Sequence, residues 1–305
     1  MPSTKFPQTE ISNGLIHATI LLPDAGKGYY RGTRFDWSGI ISSLEYQGHN
    51  YFGKWFTKYS PEIHDVIMGP VEEFAPLDYD DIKPGGSFIK IGVGVVYKQD
   101  DEPYTFSRVY QLLNPGKWKI IKKSDQVLFI HDLEDKAYSY HYEKTVLLAK
   151  DRPELVLNHI LKNTGSHTIE TNVYDHNFFM IDKHPIGPGL VVKFPFNLKG
   201  EGVGFGELAE IQGNQISYLR PIGNGEWAEC YSLKGFGPGA DDYEIRIENR
   251  ITGAGVKITC DQPFLKLAFW SCPTTLCPEP YIKINVDPGK EISWTIKYEF
   301  YTLTK

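Results

Sequence analysis

The chain has 305 residues, 41% hydrophobic and 23% charged, with a formal net charge of -6, the composition of a soluble globular protein long enough to bury a substantial core. Lys and Arg are scattered among Asp and Glu, so the field that concentrates nucleic acid is missing, and no run of 18 uncharged apolar residues offers a membrane span. No Ser/Gly-rich linker, charge block or low-complexity run divides the chain, so one domain is expected over residues 1–305.

The first residues, MPSTKFPQTEISNG, carry a lone lysine and no apolar h-region, which points to a cytoplasmic protein. Residues Gly28 to Trp55 then bring Arg31, Arg34 and Asp36 among Tyr29, Tyr30, Phe35 and Trp37, with Gly32 and Gly39 free to turn sharply. Aromatic faces beside a planar guanidinium suit a sugar: the rings cover its C–H face and the arginine bonds its hydroxyls. A structural ion pair of Arg34 with Asp36 or Glu45 fits the same residues. The loop from His64 to Pro76 contains Glu72 and Glu73, which point to opposite sides if extended and so make a poor glycosidase dyad. In the next segment, Asp81 to Val95, a strand presents Phe88, Lys90, Gly92 and Gly94 on one face, with Lys90 turned either to a cleft or to solvent. No helix pattern or GK[ST] follows its glycines, which excludes a nucleotide-binding loop.

Period-2 alternation dominates the rest. Leu155, Leu157, His159 and Leu161 alternate with Val156, Asn158, Ile160 and Lys162, and Tyr243, Ile245 and Ile247 with Glu244, Arg246 and Glu248. At the C-terminus Ile292, Trp294, Ile296, Tyr298 and Phe300 share one face, while Ser293, Thr295, Lys297 and Glu299 take the wet one. Sustained 3.6-residue periodicity is absent, turn signals such as Asn224-Gly and Asp287-Pro-Gly punctuate short strands, and no 20-to-50-residue repeat shows. The expected fold is all-β, a large antiparallel β-sandwich. Cys230, Cys260, Cys272 and Cys277 include no CxxC pair, so zinc is not expected and the thiols read as reduced and mostly buried.

The stretch NVYDHNFFMID, Asn172 to Asp182, sets His176 at the end of an apolar strand, where it is either a half-buried, hydrogen-bonded residue or a proton donor aimed into a cleft. Three segments together resemble the galactose mutarotase-like superfamily, which includes the aldose 1-epimerases. LVLNHILKNTG (Leu155 to Gly165) running into NVYDHNFF resembles that family's paired strands "L-x-L-x-x-x-L-x-N-x-G" and "N-x-x-x-H-x-x-F". Glu248 to Trp270 is similar to its turn-and-strand segment, and LCPEPYIKINVDPGKEISWTIKYEF to its "C-x-E" segment, "P-G" turn and last strand. The likeness covers about residues 140 to 305, in the right order.

The resemblance implies a galactose mutarotase-like supersandwich, a sugar as small-molecule partner, His176 as catalytic acid and Glu279 as catalytic base. An early arginine that helps to hold substrate hydroxyls falls on Arg34. Lys266 stands where the family has a glutamine, and Lys90 near where it has a histidine. The set of candidate substrate-binding residues is therefore Arg34, Asp36, Lys90, Lys266 and Arg31. Interconverting the anomers of an aldose means removing the proton of the C1 hydroxyl while giving one to the ring oxygen, which one base and one acid accomplish without metal or redox cofactor. Glu279 lies between Pro278 and Pro280 on stiff backbone beside Leu276 and Cys277, where partial desolvation raises a carboxyl toward the useful range. Two other classes fit the same fold: a carbohydrate-binding protein without activity, and a carbohydrate lyase or hydrolase, the former class following because fold does not fix function. A uronate lyase would use the basic set Arg31, Arg34, Lys90 and Lys266.

Overall fold

The computed structural model describes residues 6–136 and 138–304. Nearly all regular structure is β, and every strand pair is antiparallel. The alternation of the sequence is reproduced residue by residue in the C-terminal strand Glu291–Thr302, where Trp294, Ile296, Tyr298 and Phe300 are buried. That strand is an inner member of a ten-stranded sheet, between Ala254–Cys260 and Glu154–Asn163, with Tyr140–Leu148 next beyond the latter. Facing it is a five-stranded sheet in the order Ala228–Leu233, Lys266–Cys272, Thr275–Val286, Ile169–Phe178, Gly69–Phe74. Apolar side chains from both sheets, among them Leu155, Leu157, Val173, Ile282, Ile284 and Ile296, form the main core. Two small sheets built from the N-terminal third complete the fold.

Each strand of the smaller sheet has one face toward the core and one away from it, because successive side chains alternate. Glu72 and Glu73 divide in that way: Glu72 enters the sandwich and Glu73 turns to the opposite face, as the extended backbone requires. Inside the sandwich Glu72 meets Lys144 and, at 2.8 Å, His159 Nε2, both from the ten-stranded sheet. Burial opposes ionisation of Glu72, but the charges of Lys144 and His159 outweigh it and draw the carboxyl down to about 2. Asp36 joins this interior cluster through the hydroxyls of Ser38 and Tyr142 (3.0 Å for the latter), and Asp175 through Tyr298. Burial raises Asp36 to about 6 and Asp175 to about 7, with the nearby charge of Glu72 acting in the same direction.

Asp36, which the sequence placed among the candidate substrate-binding residues, lies in the interior and does not line the cleft. It is 1% exposed and sits against Gly92, where an added Cβ would lie 2.4 Å from Asp36 Oδ1. Gly92 also has φ +76°, so both space and backbone conformation require glycine at this point.

The polar cluster ties the two sheets together by charge as well as by apolar packing. Removing one partner of a buried pair leaves the other without compensation, so Lys144→Met is expected to lower unfolding free energy by about 3–5 kcal/mol in urea titrations at pH 7. Glu72 is ionised in the fold below its ordinary range, so its stabilisation is complete above that range and is lost as pH falls toward 2. A loss below about 1 kcal/mol would show that the pair contributes no more than a surface ion pair.

Candidate active site

The outward face of the five-stranded sheet is the floor of a cleft of about 630 Å³. By alternation the strand Ile169–Phe178 contributes Asn172, Tyr174, His176 and Phe178 to it, and the neighbouring strand Thr275–Val286 contributes Glu279 and Tyr281. The two strands pair in a register that sets Tyr174 opposite Tyr281, and an isolated bridge sets Phe179 opposite Leu276. Continuing the same register between those points pairs His176 with Glu279. Their side chains meet with Nε2 and Oε1 3.3 Å apart.

The ladder is open at that point because Pro278 and Pro280 have no N–H to donate. The carbonyls opposite them belong to Asp175 and Asn177. The Asn177 side-chain amide takes the place of one missing donor at Asp175 O (3.2 Å) and also reaches Pro278 O (3.1 Å), while the Phe179 N–H replaces the other at Asn177 O (2.9 Å). Prolines are thus accommodated in a central strand, and the pair His176–Glu279 falls in the narrow, non-hydrogen-bonded type of cross-strand site, where side chains stand closest.

His176 is held by rings. Phe178 stacks on it at 3.9 Å with planes 5° apart, and Phe35 and Trp270 meet it edge-on at 5.6 and 6.2 Å. Burial in this aromatic surround, with the charge of Arg34 acting in the same sense, holds its imidazole well below the usual histidine range. Burial moves Glu279 the other way, up to about 7; Arg34 and Lys266 oppose the shift, whereas Glu73 and Glu229 add to it. The proton the pair takes up near neutral pH is therefore held by the Glu279 carboxyl, with the His176 imidazole neutral.

Of the other sequence candidates, Arg34 and Lys266 line the cleft; Arg31, Asp36 and Lys90 do not. Arg34 is already committed: Nε donates to Glu73 Oε2 (2.7 Å), Nη2 to the Tyr174 hydroxyl (2.8 Å), and its guanidinium lies between the rings of Phe35 and Phe106, 4.4 and 4.0 Å from their centroids. The partner is Glu73, not Asp36 or Glu45. Lys90 faces neither cleft nor solvent; it is fully buried, with Nζ on Phe74 O, Glu73 Oε1 (3.3 Å) and the Tyr104 hydroxyl (3.1 Å). Arg31 bonds Gly26 O at 2.7 Å and borders a separate depression with Trp37, Tyr110 and Gln111. The ammonium of Lys266 lies 4.7 Å from the Tyr281 ring centroid and, among the described residues, has no carboxylate within 4.0 Å. His64 is at the rim, edge-on to Phe106.

Residues that sequence reasoning passed over include Tyr174, which donates to Glu73 Oε2 at 2.6 Å, and the aromatic walls Trp55, Phe178, Trp270 and Tyr281. The signal was present in part: Tyr174 and Phe178 are the alternate neighbours of His176, and Tyr281 that of Glu279. Among the described residues no group of three or more His, Cys, Asp or Glu could hold a metal ion, all four cysteines are unpaired, and no helix is long and apolar enough to cross a membrane.

This arrangement, a large antiparallel sandwich with an imidazole and a carboxyl group facing each other on the outer face of its smaller sheet, has the fold of the galactose mutarotase-like proteins. An aldose epimerase homologue from Caenorhabditis elegans superposes with a TM-score of 0.59 at 11% identity over 98% of this chain and 100% of its own. A galactose mutarotase-like protein from Clostridium acetobutylicum gives 0.57 at 15% identity, covering 96% and 95% of the two chains. Another from Lactobacillus casei gives 0.55 at 12% identity, covering 96% and 100%. No family model matches the chain, and no curated protein matches it by sequence.

Because Arg34 neutralises a buried carboxylate, its loss affects the scaffold first, and the sequence expectation that folding survives Arg34→Ala is revised. Arg34→Ala is expected to lower stability by about 3–5 kcal/mol, softened by the remaining Lys90–Glu73 contact, and Arg34→Lys by less. Chemical denaturation of both variants checks this; unchanged stability in Arg34→Ala would leave its guanidinium free for a ligand role alone.

Proposed function

We propose that the protein is an aldose 1-epimerase that interconverts the anomers of an uncharged sugar by general acid–base catalysis. The observation that carries this reading is the 3.3 Å approach of His176 Nε2 to Glu279 Oε1 on the floor of the cleft. The hydroxyl oxygen on C1 and the ring oxygen are attached to the same carbon, so two groups this close reach both at once. Glu279 takes the proton from the C1 hydroxyl, His176 protonates the ring oxygen, the ring opens to the aldehyde, and rotation about the C1–C2 bond followed by the reverse transfers gives the other anomer. No electrons leave the sugar and no co-reactant enters.

The step needs a carboxylate and an imidazolium, which together hold one proton. A protonated Glu279 beside a neutral His176 holds the same number, so the resting pair differs from the reacting one only by transfer across the 3.3 Å contact. Sugar hydroxyls that donate hydrogen bonds to Glu279 favour its ionised form and so the reacting arrangement. The pair Arg34–Glu73 and Tyr174 border the reacting end, and the similarity of fold to an aldose epimerase homologue agrees with this reading. A uronate lyase is less well supported, since of the four basic residues such chemistry would enlist, Arg31 and Lys90 lie off the cleft and Arg34 is paired.

Polarimetric or NMR mutarotation assays over a panel of free aldoses test the proposal. Glu279→Gln keeps shape and hydrogen bonding but removes the base, and is expected to lower the rate at least about 100-fold while calorimetry finds sugar binding retained. His176→Asn is expected to act likewise. If a confirmed substrate is turned over normally by Glu279→Gln, the assignment is wrong; binding without rate enhancement by the parent protein would make it a sugar-binding protein.

The pH profile follows from the shared proton. Below about pH 7 the pair retains it, and above that it is lost, so kcat/KM is expected to fall on the alkaline side with a midpoint near 7. The acid limb, addition of a second proton, is expected well below the usual histidine range because His176 resists protonation. A rate that is flat from about pH 5 to 9 would contradict the pairing.

A further inference from the structure

We propose that the protein has a second ligand site, separate from the cleft, that takes a small organic carboxylate with an apolar body. The site is the depression bordered by Arg31, whose volume of about 520 Å³ is in the usual range for small-molecule sites. No residue lines both it and the cleft.

The donors come first. Arg31 Nη1 donates to Gly26 O, which anchors the guanidinium and leaves the opposite edge, Nε with Nη2. That edge carries two parallel N–H groups, the pair that grips a carboxylate with two hydrogen bonds. Nε is buried and has no acceptor among the described residues. The other six arginines of the chain each have a carboxylate within 4.0 Å, such as Glu73 for Arg34 and Asp100 for Arg108, whereas Arg31 has none among the described residues. Gly32 and Thr33, both buried, border the same space and add two successive backbone N–H groups without an acceptor among the described residues. A buried donor left unpaired costs free energy, and an anion that meets several of them at once recovers it.

Charge and shape then restrict the anion. Glu62 stands exposed at the rim, with no cation within 4.0 Å among the described residues, and its carboxylate repels a second negative charge on the ligand. A monoanion is therefore preferred to a phosphate dianion. The rest of the wall is largely apolar: Trp37 and Tyr110 are buried, Leu112 is half-buried, and Val109 is 56% exposed at the mouth. These side chains cover an aromatic or aliphatic body attached to the carboxylate.

The test is calorimetry of the full chain with 3-phenylpropionate, indole-3-acetate, benzoate and hexanoate, each against its uncharged amide, and with inorganic phosphate. The parent protein is compared with Arg31→Ala, Arg31→Lys, Glu62→Gln and Lys266→Ala; Lys266 is the cation without a carboxylate partner in the cleft, where a carboxylate would bind if the depression were not its site. At least one carboxylate is expected to bind the parent about tenfold more tightly than its amide and than phosphate. Arg31→Ala is expected to abolish the preference over the amide, and Arg31→Lys, which keeps the charge without the fork, to weaken binding of the carboxylate about tenfold. Glu62→Gln is expected to strengthen it about two- to threefold at low salt, and Lys266→Ala to leave it unchanged. If Arg31→Ala does not fold, Arg31→Lys and the exposed Glu62→Gln carry the test. Absence of binding by all four carboxylates, amides or phosphate binding as tightly, affinity that Arg31→Lys leaves unchanged or Glu62→Gln fails to raise, or affinity lost in Lys266→Ala would overturn the site.

Discussion

Pro278 and Pro280 impose the constraint on which the site depends. In a central strand they remove two donors from the ladder, and the sheet would be expected to come apart there. Instead the two strands keep one register on both sides of the gap, the Asn177 amide satisfying the Asp175 carbonyl and the Phe179 N–H that of Asn177. Glu279, between the prolines, consequently stands opposite His176 on backbone with little freedom to move. The position of the pair is a property of strand pairing rather than of a loop, which is the kind of support a group must have if it is to transfer a proton within fractions of an ångström.

The same strands connect this face to the interior. Tyr174, His176 and Phe178 point to the cleft, while Asp175 and Asn177 between them point into the sandwich, where Tyr298 bonds both. Glu73 and Glu72 repeat the division on the next strand. One binds Arg34 and Tyr174 beside the cleft, and the other meets Lys144 and His159 between the sheets. Charge is therefore balanced on both faces by neighbours in fixed geometry, and the smaller sheet is held to the larger one directly beneath the site. Of the two carboxyl groups that burial raises to about 7, Asp175 is enclosed against Tyr298 inside the sandwich, and Glu279 faces His176 in the cleft.

Much of this was legible in the sequence. Alternation in the last strand and in Leu155–Leu161 sufficed for the antiparallel sandwich, since each wet-face residue is separated from the next by a buried one. His176 and Glu279 were legible as a pair only through likeness to known proteins, because 103 residues of chain separate them and the register that unites them is not a local property. Asp36 and Lys90 lie off the cleft for a common reason. Polar residues among aromatics mark a sugar site and a buried ionic network equally well, and only the path of the chain decides which carboxylate meets which cation. Arg34 illustrates this: its partner, Glu73, is 39 positions away on a different strand. The prolines flanking Glu279 were legible as stiff backbone, but that they lie in a central strand, compensated by Asn177, follows only from the register.

The central claim is that His176 and Glu279 act on one anomeric carbon by passing a single proton. Its most direct test is saturation transfer between the two anomeric proton resonances of a bound aldose, with the protein at catalytic concentration and the pH near 7. The account predicts exchange between the anomers far above the buffer rate, abolished when Glu279 is replaced by glutamine. Sugar that binds in the cleft with its anomers exchanging no faster than in buffer would contradict it.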